Sequence, residues 1–183
     1  MTASPSDNTP NGPSDNTPAP GISHTETALP EWVDFNGHMN VAYYIMVFDH
    51  ATDVFLDRAG VGRDYRASTG NSVFVVEAHV TYENEVHAGE ELGVTTRLLG
   101  HDAKRLHLFH HMYRLDGKGG LGGLAATNEL MILHVDMKTR RASPLPEAAV
   151  RRIEALAKAQ SALPRPVQAG RSIGFKGKPS AAS

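Results

Sequence analysis

The stretch that decides the fold reads Trp32-Val33-Asp34-Phe35-Asn36-Gly37-His38-Met39-Asn40-Val41-Ala42-Tyr43-Tyr44. It sets a carboxylate, a glycine turn, an imidazole and an amide directly ahead of an apolar, aromatic-rich run. Asn40 is a residue type that caps helices, and Ala42, Ile45, Met46, Ala51, Val54 and Phe55 recur at helical spacing over residues 41–59. Gly60 is placed to stop that helix. The first N–H groups of a helix lack internal acceptors and sit at its positive end. They can take up charge on a carbonyl oxygen under attack, and the Asn40 and Val41 amides are the donors expected there. Gly37 would let backbone and substrate approach closely. Asp34 would then lie beside the carbonyl as base for water or as direct nucleophile. Such a grouping suits cleavage of an ester or thioester.

Upstream, residues 24–33 read as a short first strand. Downstream of the helix the period changes to two, with strands expected over 72–82, 91–99, 105–115 and 124–136. In the first of these Phe74, Val76, Ala78 and Val80 would share one face, opposite Val75, Glu77, His79 and Thr81. Turn residues at 87–89, 100–102 and the Gly-rich 116–123 separate the runs, which suggests an antiparallel meander. Pro146 opens a last helix with Ala149, Val150, Ile153, Leu156 and Ala157 on one stripe. The class is therefore α+β, an antiparallel sheet around one central helix plus a C-terminal helix. Asp49, Asp53 and Asp57 mark a solvated helix edge. A sheet of this kind leaves an edge strand and an apolar flank, which a homodimer continuing the sheet across a two-fold axis would cover.

Residues 1–21 are low in apolar side chains and repeat the hexamer Pro5-Ser6-Asp7-Asn8-Thr9-Pro10 as Pro13-Ser14-Asp15-Asn16-Thr17-Pro18, so a disordered tail is expected there. Residues 22–163 form the single domain, and 164–183 an extended tail in which Gly170-Arg171-Ser172-Ile173 could dock on it. The chain of 183 residues is 40% hydrophobic and 21% charged, with net charge −2, which gives no basic surface for nucleic acid. It has no cysteine, which removes disulfides, thiolate metal sites and a Cys nucleophile. The first residues carry no apolar stretch of signal-peptide type, and residues 41–56 are interrupted by Asp49, His50 and Asp53, so no membrane span and a cytoplasmic location are expected.

The pattern Asp34-x-x-Gly37-His38-x-Asn40 before an aromatic-rich helix resembles the signature of hotdog-fold thioesterases related to 4-hydroxybenzoyl-CoA thioesterase. The resemblance spans roughly residues 24–145 and includes His79-Val80-Thr81-Tyr82 and His134-Val135-Asp136. It implies a hotdog fold, a small or medium acyl-CoA substrate, a catalytic Asp34, and an amide near Val41 that polarises the thioester carbonyl. It also implies a site at a subunit interface in a dimer or tetramer, with no metal or redox cofactor. Asp102-Ala103-Lys104-Arg105-Leu106-His107-Leu108-Phe109-His110, with Ala126-Thr127-Asn128-Glu129, is further similar to thioesterases of carnitine catabolism, including the betainyl-CoA type. A quaternary ammonium would call for aromatic faces and a carboxylate. Trp32, Tyr43, Tyr44, Phe48, Glu77 and Glu129 are the candidates.

Other roles stay open at this level. His38 either orients the Asp34 loop or has a purely structural bond, and one of Tyr43 and Tyr44 must be core, since adjacent helical positions point about 100° apart. Glu77 and Glu129 either face a pocket or pair with His or Arg across the sheet, with the pocket favoured for Glu77. Lys104 and Arg105 could hold CoA phosphates. Ten histidines include no His-Glu-x-x-His spacing, and His107 and His111 are roughly 13 Å apart along a strand, so no metal is expected. Two other activities fit the same fold: an enoyl-CoA hydratase or dehydratase, whose motif spaces Asp and His one residue further apart, and a non-catalytic acyl-CoA-binding protein.

Overall fold

The structure is a computed structural model and describes residues 21–174. Expectations for residues 1–20 and 175–183 lie outside the described residues. The elements run β1 (Ile22–Thr27), a 3-10 turn (Pro30–Trp32), α1 (Val41–Ala59), α2 (Arg63–Thr69), β2 (Ser72–Tyr82), β3 (Glu91–His101), β4 (Arg105–Leu115), β5 (Leu121–Asp136), β6 (Arg141–Ala142) and α3 (Glu147–Ala159). Five strands form one antiparallel sheet in the order β1-β3-β4-β5-β2, with β6 paired to β5. The sheet curls around α1, giving the α+β architecture expected from the sequence.

α1 has the bounds that its sequence signals predict. The Asn40 side chain accepts a hydrogen bond from the Ala42 amide, and Gly60 ends the helix at φ 78°, a left-handed conformation that side chains disfavour. Its buried face is Tyr44, Val47, Phe48, Ala51, Thr52, Phe55, Leu56 and Ala59, at steps of three and one. This corrects the apolar face inferred from sequence: Ala42 and Ile45 are exposed and Met46 and Val54 only partly covered. The helix is apolar on two sides, and spacing alone does not say which one the sheet takes. Burial of each large apolar side chain on that face stabilises the fold by roughly 1.5–3 kcal/mol.

Four further differences have physical causes. The first strand is shorter than 24–33, because Pro30 breaks it into a 3-10 turn. β2 does not join the meander beside β3 but pairs with β5 on the far side, since β1 occupies the free edge of β3. The link from Tyr82 to Glu91 is too long to impose a hairpin. A bulge between Val75 and Glu77 breaks the alternation of β2. Directly paired residues share a face, so Val75, opposite Ile132, turns inward, while Phe74, opposite Leu133, joins Glu77 on the outer face. Finally, α2 and β6 had no sequence signal; α2 starts where Asp57 Oδ1 accepts from the Arg63 amide at 3.1 Å.

The core has two lobes, one around Phe48 and Met112, the other around Ile132 with Leu145, Ala149 and Ile153 from α3 and the segment before it. Gln160, just past α3, bonds the Leu98 amide and the Thr96 carbonyl, so one side chain covers the β3 edge beyond β1. Between α1 and the sheet lies His110, fully buried, with Nε2 3.0 Å from Thr52 Oγ1 and Nδ1 3.0 Å from Thr96 Oγ1. Desolvation, with a smaller push from His111, holds its pKa down at about 3. Burial and the nearby Arg97 likewise lower His111 to about 4. On the outer face the Gly170 amide donates to Glu129 Oε2 at 2.7 Å, which docks the segment after α3 against the sheet.

Candidate active site

The site is built by the loop between β1 and α1. Val33 and Met39 form an antiparallel bridge, and the turn between them closes through Gly37 N–H to the Asp34 carbonyl at 3.0 Å. Gly37 has φ 84°, the left-handed conformation that this tight turn requires. The Asp34 side chain is half-buried and has two partners. Its Oδ1 accepts from the Asn36 amide at 2.8 Å, and its Oδ2 from Asn40 Nδ2 at 3.3 Å. One oxygen thus shapes the turn, as an aspartate in a loop often does, and the other is tied to the side chain that caps α1. In the first turn of α1 the Ala42 amide is bonded to Asn40 Oδ1 and the Tyr43 amide to the Asn40 carbonyl. The Val41 N–H has no acceptor among the described residues, which leaves a donor at the positive helix end. The Asn40 N–H, expected to share that role, instead donates to the Trp32 carbonyl at 2.9 Å, because the loop folds back on the segment before it.

The segment from β2 to β3 closes over this mouth. The Met39 amide donates to the Val86 carbonyl at 2.7 Å, His87 Nδ1 lies 3.2 Å from the Gly37 carbonyl, and His38 Nε2 lies 3.6 Å from Glu85 Oε1. A hollow of about 180 Å³ opens beside the helix start, lined by His38, Val41, Tyr44, Tyr82, Glu83 and Glu85 among others. Tyr44 and Tyr82 meet edge to face with centroids 5.2 Å apart, and desolvation raises the pKa of both phenols.

Asp34, Gly37, His38, Asn40, Val41 and Tyr44 are therefore gathered at one place. Trp32 is buried and stacks on Tyr43 at 5.2 Å, bracing the loop from below. Phe48 is wholly buried core. Glu77 is exposed on the outer sheet face, in a hollow with His79, His107 and Glu129, and this chain does not bring it to the helix mouth. Glu129 pairs with His107 across the sheet at 2.7 Å. Arg105, at the β3–β4 turn, is engaged by Asp102, whose pKa the resulting hydrogen bonds lower to about 2. Lys104 is exposed on the same turn. Sequence reasoning did not single out Glu83 and Glu85 because they reach the site from a separate segment with no motif of its own; Tyr82 appeared only within the family pattern.

Fold and site together define a hotdog-fold thioesterase. The family model described as the thioesterase-like superfamily matches residues 28–153. The chain belongs to that family. It is 43% identical over 147 residues to the betainyl-CoA thioesterase of Pseudomonas aeruginosa, covering 80% of this chain and 90% of that one. It is 44% identical over 142 residues to an L-carnitine dehydrogenase/betainyl-CoA thioesterase of Agrobacterium fabrum, covering 78% of this chain and 28% of that longer protein. A Staphylococcus aureus protein solved in complex with CoA superposes with a TM-score of 0.77 at 31% identity, over 88% of this chain and 100% of that one. The activity that these relationships support is hydrolysis of acyl-CoA thioesters. Among the described residues no helix is long and apolar enough to cross a membrane.

Proposed function

We propose that this thioesterase hydrolyses betainyl-CoA to betaine and CoA, with Asp34 and the start of α1 as its catalytic apparatus. In this reading the thioester carbonyl oxygen accepts a hydrogen bond from the Val41 amide, with Asn40 holding the Asp34 carboxylate beside the carbonyl carbon. Asp34 either removes a proton from the attacking water or attacks the carbon itself, forming an anhydride that water then opens. Either way the C–S bond breaks and the CoA sulfur leaves with a proton. The helix end stabilises the oxyanion at no reorganisation cost. His38 keeps the loop in register against Glu85. The observation that carries the mechanism is the bond from Asp34 to the helix cap one residue before an N–H with no acceptor among the described residues.

The choice of acyl group rests on the Pseudomonas relative and on the chemistry of the hollow. Two tyrosine rings and two carboxylates, Glu83 and Glu85, suit a trimethylammonium better than a neutral or anionic group. They replace Glu77, Glu129 and Phe48 as candidates for that task.

A second copy of the chain completes the site in this reading. β2 is an edge strand, and Phe74, Val75 and Val76 on it are 38%, 47% and 55% exposed. Phe35, at the tip of the catalytic loop, is 97% exposed. Pairing of β2 with its copy would continue the sheet and cover these side chains. A cytoplasmic location, where CoA thioesters are made and used, goes with this reading.

The test is thiol release from a panel of acyl-CoAs that includes betainyl-CoA and its uncharged isostere 3,3-dimethylbutyryl-CoA. Betainyl-CoA should be preferred, and Tyr82→Ala should narrow the preference by roughly tenfold, the worth of a cation–π contact on a ring that is 46% exposed, between the exposed and the desolvated cases. Asp34→Asn keeps an acceptor for the Asn36 amide, so it should fold normally and yet lose at least ~100-fold in turnover. Near-parental turnover in Asp34→Asn would remove the mechanism. Equal rates on charged and uncharged substrates would remove the betaine assignment alone.

A further inference from the structure

A group of side chains away from the helix mouth has the makings of a second site. His24 and Glu26 are two apart on β1, so they share a face. That face meets α1, from which His50 projects. His24 Nε2 and His50 Nδ1 each lie 3.0 Å from the same oxygen, Glu26 Oε2. The three ligand atoms all lie within 4.8 Å of one another. The two imidazole rings meet edge to face, with centroids 5.9 Å apart and an interplanar angle of 75°, so their nitrogens converge without stacking. The side chains of His24 and Glu26 are 20% and 22% exposed and that of His50 is 42% exposed. The cluster is therefore partly desolvated yet open on the His50 side.

We propose that His24, Glu26 and His50 bind one divalent transition-metal ion of the zinc type. In a tetrahedral zinc site, ligands at about 2.0–2.2 Å from the metal stand roughly 3.3 Å from each other. The two nitrogen–oxygen edges of this cluster are already within a few tenths of an ångström of that spacing. Two imidazoles with one carboxylate favour zinc, cobalt, nickel or copper over magnesium or calcium, which take all-oxygen shells. Three protein ligands leave the fourth position for water on the open side. His50 is nine residues along α1 from Val41, about 14 Å at the helical rise, so the ion would not touch a thioester held at the helix mouth. Its effect would be structural, since it would pin the edge strand β1 to the central helix. The pattern was invisible to motif spacing because its ligands come from two segments, a strand and the middle of a helix.

The experiment uses the untagged full-length chain, stripped with a chelator and titrated with zinc chloride in a calorimeter. One ion should bind per chain, and Glu26→Gln and His50→Ala should each weaken binding at least ~10-fold. At zinc about 100-fold above the dissociation constant the melting temperature of the parent should rise by about 5–10 °C, with little rise in either variant. Cobalt should give visible ligand-field bands with the parent that are lost in Glu26→Gln, an isosteric change that keeps the readout usable if His50→Ala fails to fold. Zinc binding and thermal shift that survive both substitutions would overturn the proposal. So would the absence of binding by the parent, which would leave the cluster as a hydrogen-bonded clamp.

Discussion

At the scale of single residues, Asn40 joins two functions that are usually separate. Its carbonyl oxygen caps α1 and its amide nitrogen holds Asp34, so the acidic group and the helix end are fixed relative to each other by one side chain. The two roles can be separated by substitution. Asn40→Ala loses both and should lower stability by about 1 kcal/mol, or the melting temperature by roughly 2–4 °C. Asn40→Ser keeps an acceptor for the Ala42 amide but is too short to reach Asp34. It should melt close to the parent while losing thiol release, and a serine variant with parental turnover would show that Asp34 needs no such tether. This part of the site was legible because Asp34, Gly37, Asn40 and Val41 act through local geometry that a short run of sequence encodes. Glu83 and Glu85 were not, because only the path of the chain over the sheet brings them to the helix mouth.

At the scale of elements, the same division between local and non-local information recurs. The bounds of α1 could be read from Asn40 and Gly60, whereas its buried face could not, because Val41, Ile45 and their neighbours make the other side apolar too. The ends of β2 were legible from its composition, but its place beside β5 and its bulge at Val76 depend on partners far along the chain. That strand carries the clearest element-level prediction. Val76 is 55% exposed at the bulge of a strand whose outer edge pairs with no other strand among the described residues. Val76→Glu should leave the fold intact, judged by its circular dichroism, yet yield a monomer in light scattering with sharply reduced thiol release. Because a two-fold axis makes the change twice, like charges would be brought together across the seam. A dimeric, fully active Val76→Glu protein would mean that β2 is not the seam.

At the scale of the whole molecule, the buried imidazoles set how the fold meets acid. His110 and His111 have folded pKa values of about 3 and about 4, both below the ordinary value of 6.5. Between pH 6.5 and 4 the unfolded chain takes up protons that the folded chain refuses, so stability falls as pH falls through that window. The carboxyl of Asp102, lowered from 3.8 to about 2, adds its loss only below that range. Urea midpoints measured from pH 7 to 4 should therefore decline well before carboxylate titration. His111 packs between the rings of Phe109 and Tyr113. His111→Phe should keep that stacking and flatten the decline, and an unchanged slope would show that His111 does not titrate in this way.

The trio of Thr52, His110 and Thr96 has a bearing on how this lineage can vary. Each imidazole nitrogen is matched by one hydroxyl, so a valine at either threonine would strand a polar atom in a dry interior. An apolar residue in place of the histidine would still leave each hydroxyl a partner, the Phe48 carbonyl for Thr52 and Ser23 Oγ for Thr96. Loss of either threonine is therefore blocked while the histidine stays, and in descendants that have changed the trio His110 should be the first of the three to go.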